Sequence, residues 1–164
     1  KIKFKNIKVI NNEPRGDIYV KSSKLKPIKA SKEYYVNSTD EYPILFSMAA
    51  LIKGTSIFYG ISDLANKESN RITEMQKILK QIGVRSSFKK GKLTIFGKTI
   101  LNSSKKRIIV PNLGDHRICM SAAVLALSTG ISAKINNFET VRTSSPSFLK
   151  TLRYLGGIFE IKKK

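Results

Sequence analysis

The chain has 164 residues, 41% hydrophobic and 26% charged, which suits a packed core and excludes wholesale disorder. No apolar run approaches the roughly 18 residues of a membrane-spanning helix. A single cysteine, Cys119, and a single histidine, His116, exclude an internal disulfide framework, a cysteine-rich zinc site and any multi-histidine metal site. The net charge of +20, with 24 lysines and 7 arginines, favours anionic partners, but the lysines are scattered, which favours small anionic substrates over nucleic acid.

The opening stretch alternates in strand fashion at Ile2, Phe4, Ile7 and Val9 and again at Ile18 and Val20, with a turn expected at Pro14 and Gly16. It lacks the apolar block of a signal peptide. With no initiator methionine and a start inside a strand-like pattern, the chain is expected to be a piece of a longer protein. Asp40 is the expected N-cap of a helix with Pro43 in its first turn, running to Gly54 and apolar nearly all round, hence buried. TSIFYG after it reads as a strand.

Residues 67–82 read as an amphipathic helix, with Ile72, Met75, Leu79 and Ile82 on one face and Gly83 at its end. Ser69 is its candidate cap. SSFKKGKLTIFG predicts a hairpin turning at Lys90–Gly91. Then come a strand at IIV, a helix over about 115–128 ending near Gly130, and a strand at ISAKI. A helix over about 146–155 follows, with Phe148, Leu149, Leu152 and Leu155 on one face, and GIFEI reads as a closing strand.

These offsets form an internal repeat. Asp40 and Asp115, 75 residues apart, each open a buried helix that ends at a glycine and is followed by a strand and a second helix. Helices crossing between strands predict an α/β (α+β) layered fold. No glycine-rich phosphate loop is present.

Three charged clusters sit at helix starts. Asp40-Glu41 has a plain structural reading as a cap and a first-turn acid. Lys67-Glu68-Ser69-Asn70-Arg71 has one as a solvated helix start, yet Lys67 and Arg71 converging at a helix N-terminus would make an anion site. In Asp115-His116-Arg117, Asp115 can cap, His116 is the one side chain titrating near neutrality, and Arg117 suits bidentate carboxylate or phosphate recognition. Together they predict an anion-handling α/β domain with acid–base groups beside it. The residues alone do not name a reaction.

Several strings resemble the 5-enolpyruvylshikimate-3-phosphate (EPSP) synthase family: Asp40-Glu41-Tyr42-Pro43 ahead of Gly54-Thr55, Lys67-Glu68-Ser69-Asn70-Arg71-Ile72, Asp115-His116-Arg117 with Met120, Ser144-Ser145-Pro146-Ser147-Phe148, and Leu25-Lys26-Pro27-Ile28. The resemblance covers nearly the whole chain. It implies repeated βαβαββ units of the enolpyruvyl transferase fold, about two of the six in a full enzyme. Residues 1–164 would form part of the C-terminal domain, with units at roughly 17–97 and 98–164. It implies transfer of the enolpyruvyl group of phosphoenolpyruvate to the 5-hydroxyl of shikimate 3-phosphate with release of phosphate, in the shikimate pathway of aromatic amino acid biosynthesis. The resemblance further implies a reaction without metal or organic cofactor.

The resemblance gives Asp40 and Glu68 acid–base roles, the first also contacting shikimate 3-phosphate. Lys67 would bind shikimate 3-phosphate, Arg71 and Arg117 phosphoenolpyruvate, and His116 would support the site. The implied partner is the N-terminal half of a cytoplasmic, otherwise monomeric enzyme, without which this chain is expected to be inactive and its site face open and strongly positive. Two departures stand out. Asn70 replaces the family's usual aspartate, which puts support for Lys67 or Arg71 in question. Thr143 stands where some members carry a lysine, leaving Arg142 as an auxiliary cation. The alternatives are UDP-N-acetylglucosamine enolpyruvyl transferase, which the K-E-S-x-R and D-H-R strings oppose, and a non-enzymatic basic domain that binds anions or nucleic acid.

Overall fold

The computed structural model describes residues 1–98 and 107–162. It opens on an antiparallel ribbon of β1 (Ile2–Ile10) and β2 (Glu13–Val20). The turn lies at Asn11–Asn12, not at Pro14–Gly16. Both asparagines have positive φ, the conformation a two-residue hairpin loop requires and asparagine tolerates. Gly16 instead lies within β2 opposite a register shift between Lys5 and Lys8, where a Cβ would stand 2.8 Å from the Lys5 carbonyl.

The next element, β3 (Lys29–Ala30), starts the layered part and is followed by α1 (Lys32–Asn37), a 3-10 turn at Thr39–Glu41 and α2 (Tyr42–Leu51). Asp40 therefore lies inside the 3-10 turn and caps nothing. Glu41 holds the cap position, without a side-chain hydrogen bond. Helix α2 is buried as its composition requires: Tyr42, Phe46, Ala49 and Ala50 are inaccessible, with Tyr42, Phe46 and Phe58 meeting edge to face.

After α2 come β4 (Gly54–Phe58), parallel to β3, a 3-10 turn at Ser62–Asn66, and α3 (Arg71–Gln81). Helix α3 starts at Arg71, four residues later than its apolar stripe predicts. Asn70 is its cap, accepting from the Thr73 N–H at 3.0 Å, and Lys67 is extended. Ile72, Met75 and Leu79 face the core as expected. The hairpin β5 (Arg85–Lys89) and β6 (Lys92–Gly97) turns at Lys90–Gly91, both with positive φ, and completes a sheet in the order β3-β4-β6-β5.

A second, shorter sheet pairs β7 (Arg107–Val110) in parallel with β8 (Ser132–Ile135). Between them runs α4 (His116–Thr129), capped by Asp115 and closed by Gly130 in the left-handed region. Then come a 3-10 turn at Phe138–Thr143 and α5 (Phe148–Tyr154). Of the four apolar residues expected to line α5, Leu152 alone is fully buried and Leu155 is exposed. The expected strand at GIFEI does not form. A strand exists through its ladder of hydrogen bonds, and no neighbouring strand among the described residues offers one.

Apart from α1 and the 3-10 turn at Thr39–Glu41, which have no counterpart in the second part, both parts run strand, helix, parallel strand, 3-10 turn, helix. Strands β3 and β7 begin at 29 and 107, α2 and α4 at 42 and 116, β4 and β8 at 54 and 132, α3 and α5 at 71 and 148. Residues 17–20 of the first expected unit belong to the ribbon. The expected boundary at 97–98 adjoins 99–106, which lie outside the described residues. One hydrophobic core joins the two parts, with Phe46 and Met75 from the first in the same cluster as Ile108, Ile118, Ala122 and Leu125 from the second. That shared core seats the starts of α2, α3 and α4 against one another. No helix among the described residues is long and apolar enough to cross a membrane.

Candidate active site

Arg71 is the first residue of α3, and its side chain is only 1% exposed. A buried guanidinium needs a partner on every edge. Its Nε donates to Asp115 Oδ2 at 3.0 Å, Nη1 to Asp40 Oδ1 at 3.0 Å and Nη2 to Glu68 Oε2 at 2.6 Å. Three separate segments, at 40, 68 and 115, thus meet on one side chain.

Arg117 reaches the same place from the first turn of α4. Its Nη2 donates to Asp40 Oδ2 at 3.1 Å, and Nη1 lies 3.9 Å from Glu41 Oε1. Its Nε is buried without a hydrogen-bond partner among the described residues. Asp40 therefore bridges the two guanidiniums, one oxygen to each. Beside this bridge Arg117, Asp40 and Glu41 rim a shallow pocket of about 170 Å³ between α2 and α4, floored by Ile44, Met120 and Val124.

Lys67 lies outside α3, one step from the bridge. Its Nζ pairs with Asp63 Oδ2 at 2.7 Å, and the same oxygen accepts from the Tyr35 hydroxyl at 3.0 Å. Its charge still acts on Asp40. Desolvation pulls the Asp40 carboxyl upward, but the Arg71 hydrogen bond and the charges of Arg117, Arg71 and Lys67 outweigh it and hold the pKa below the usual carboxylate value. Burial works against the Arg71 cation, yet the hydrogen bond and charge of Asp115, with Asp40 and Glu68, raise its pKa instead.

Asp40, Glu68, Arg71 and Arg117 are thus joined directly, and Lys67 stands beside them. His116 is the half-buried first residue of α4. Arg142 is exposed on the 3-10 turn after β8 and forms no ion pair among the described residues. Asn70 supports the site through the α3 cap, and the support of Lys67 and Arg71 comes from Asp63 and Asp115. Asp63 carried no motif. Asp115 was readable from the sequence only as a cap.

The charge at the site is mixed rather than strongly positive as expected. Asp40, Glu41, Asp63, Glu68 and Asp115 meet Lys67, Arg71 and Arg117, so within a chain of net charge +20 the acidic groups are concentrated where the key cations stand.

Parallel strand pairs bridged by helices and repeated once, with arginines and carboxylates interlocked at the helix starts, define an α/β repeat domain built around an arginine–carboxylate centre. Similarity to known proteins identifies it further. The chain belongs to the EPSP synthase (3-phosphoshikimate 1-carboxyvinyltransferase) family, whose family model matches residues 3–152. It is 35% identical to the 3-phosphoshikimate 1-carboxyvinyltransferase of Zymomonas mobilis over 98% of its own length and 36% of that protein. It is 34% identical to that of Petrotoga mobilis over 96% of its length and 36% of that protein. A solved EPSP synthase from Acinetobacter baumannii superposes with a TM-score of 0.85 at 28% identity, over 99% of this chain and 37% of that one. The chain thus spans about a third of the length of the curated relatives it matches.

Proposed function

We propose that the full-length protein carrying this chain transfers the enolpyruvyl group of phosphoenolpyruvate to the 5-hydroxyl of shikimate 3-phosphate and releases phosphate. The observation that carries the reading is the Arg71–Asp40–Arg117 bridge, in which an acid–base group is held between two guanidiniums at the meeting of three helix starts. The proteins this chain resembles along its whole length bear the name of that reaction.

In this reading phosphoenolpyruvate enters by exchange. Its carboxylate and phosphate oxygens take guanidinium N–H groups from Asp40, and the Nε of Arg117 adds an unused donor. Asp40, relieved of the cations that depress its pKa, becomes a stronger base and accepts the proton of the 5-hydroxyl. The freed oxygen bonds to C2 of the enolpyruvyl group while Glu68 delivers a proton to the methylene carbon. A tetrahedral adduct results. Its collapse breaks the C2–O bond to phosphate and returns a proton from the methyl carbon, restoring the double bond. Lys67 holds shikimate 3-phosphate beside the centre. The other two thirds of the enzyme supply the opposing wall, so the 164 residues alone do not turn over.

The test is phosphate release by the full-length protein from phosphoenolpyruvate with shikimate 3-phosphate as acceptor. Release with this acceptor and none with UDP-N-acetylglucosamine is expected. The reverse pattern overturns the acceptor. Arg117→Ala is expected to raise the KM for phosphoenolpyruvate more than that for the acceptor.

A further inference from the structure

Of the site carboxylates the proposed mechanism leaves unused, Asp115 is the one sealed from solvent. It is fully buried, with a side chain 0% exposed, and both of its oxygens are occupied on opposite tasks. Oδ1 accepts the backbone N–H groups of Arg117 at 3.0 Å and Ile118 at 3.3 Å and so caps α4. Oδ2 accepts Arg71 Nε at 3.0 Å and the Ser69 hydroxyl at 2.9 Å. One carboxylate therefore ties the start of α4, which carries Arg117, to the buried guanidinium of α3 and to the segment that carries Glu68.

The two tasks differ in what they require. A helix cap needs an acceptor oxygen, and asparagine serves there as well as aspartate. The Nε edge of a guanidinium has one hydrogen to give, and a buried carboxylate takes it with full charge assistance. Arg71 is planar, so fixing its Nε fixes the direction of the Nη edge, which faces Asp40 and Glu68. A cap alone would leave that edge free to swing.

We propose that Asp115 is a positioning residue for the reaction: by holding Arg71 Nε on one oxygen and the Arg117 backbone on the other, it sets the two arginines in the relative placement that receives the phosphate and carboxylate of phosphoenolpyruvate. The inference rests on the proposed function, and it adds a residue to which the phosphoenolpyruvate-binding and acid–base roles above assign no part. It also explains why the sequence pattern at the start of α4 is of use to α3, forty-four residues away.

The experiment uses the full-length protein and Asp115→Asn. Asparagine keeps the cap oxygen and turns an NH2 group toward Arg71 Nε and Ser69, so the Arg71 side of the link fails selectively. The KM for phosphoenolpyruvate is expected to rise on the order of tenfold, as for loss of one charge-assisted hydrogen bond. The KM for shikimate 3-phosphate should stay within about twofold, while the melting temperature falls because the buried guanidinium loses a carboxylate partner even though the cap survives. In parallel, nitrogen-15 spectra should show an Arg71 Nε–H protected from solvent exchange in the wild type and exposed in the variant. Equal rises in both KM values, or an Nε–H still protected in Asp115→Asn, overturns the proposal. If the wild type turns over neither substrate pair, the functional reading falls, and the Nε–H result still decides whether Asp115 holds Arg71. Should Asp115→Asn fail to fold, Ser69→Ala carries the test. It removes the other group on Oδ2 and is expected to raise the KM for phosphoenolpyruvate alone, and no change there overturns the proposal.

Discussion

Asp40 and Asp115 occupy the same point of the repeat, ahead of α2 and α4, and the fold gives them opposite surroundings. Asp115 is sealed in and caps its helix. Asp40 lies in a 3-10 turn, is 51% exposed and caps nothing. The cause is local. The extra turn at Thr39–Glu41 carries Asp40 one residue further from α2, so its oxygens face outward to the arginines, whereas Asp115 directly precedes α4 and turns one oxygen back onto the helix. A repeated sequence position thus yields one group half exposed between two arginines and one sealed from solvent. Substitutions at the two sites should separate along that line.

The largest effect is expected from Asp40→Ala in the full-length protein. If Asp40 is the base, turnover falls by about 10²–10⁴-fold, with a smaller change in KM, while folding stability moves by less than about 1 kcal/mol, as for exposed ion pairs. Steady-state kinetics beside a denaturant titration measures both. A loss of stability equal to that of the buried aspartate would erase the distinction. Asp115→Ala comes next. It removes the cap and one of the carboxylates on a buried arginine, and a drop of about 3–5 kcal/mol is expected. A denaturation midpoint unchanged from the wild type would break the comparison from the other side.

A smaller effect distinguishes the two by pH. The folded-state pKa of Asp40 is depressed, because the Arg71 hydrogen bond and the neighbouring cations outweigh desolvation. Its contribution to stability is therefore present above its unfolded pKa of about 3.9 and is lost as pH falls through the lower folded value. The stability gap between wild type and Asp40→Asn should close as the solution is made more acidic than that. A gap that widens in acid would mean the carboxylate is stabilised protonated. Tyr42, one residue after Glu41, gives a control within α2. Its hydroxyl is buried without a hydrogen-bond partner among the described residues, so Tyr42→Phe should leave stability unchanged or raise it by up to about 1 kcal/mol.

The sequence carried much of this. The stripe Ile72–Met75–Leu79 placed the core face of α3, the apolar run of α2 announced burial, and Lys90–Gly91 marked a turn whose positive φ values the backbone adopts. Periodicity failed at the ends. It set the start of α3 at 67, because a stripe of apolar residues does not register where the capping hydrogen bond forms, and Asn70 supplies that bond. It made GIFEI a strand, because composition reports strand tendency and not the presence of a partner. At the site the motifs pointed to Asp40, Glu68, Arg71 and Arg117, which do meet. How their side chains pair, with Asp40 shared between the two arginines, was out of reach of sequence reasoning. Asp115 on Arg71 is a contact made by folding that no spacing encodes, whereas Asp63 stands four residues before Lys67 and that pairing was within reach of spacing.

Cys119 provides the finest probe of the contrast. It lies in the first turn of α4, its backbone N–H donates to the Asp115 carbonyl at 3.1 Å, and its side chain is buried. Burial foremost, and the Asp115 charge after it, push its thiol up to about 11. At neutral pH the group is therefore an inaccessible thiol and not the reactive thiolate. Modification by a thiol reagent must wait for the start of α4 to open, so its rate reports the stability of that one turn. In the full-length protein the labelling rate at Cys119 should rise in Asp115→Ala, which loses the side-chain cap, and stay at the wild-type value in Asp40→Ala, which leaves α4 intact. Cysteines elsewhere in the longer chain are distinguished by mass spectrometry of the labelled peptide. Acceleration by both substitutions alike would mean that the Asp40 bridge holds α4 as firmly as its own cap does, and the two aspartates would then be equals.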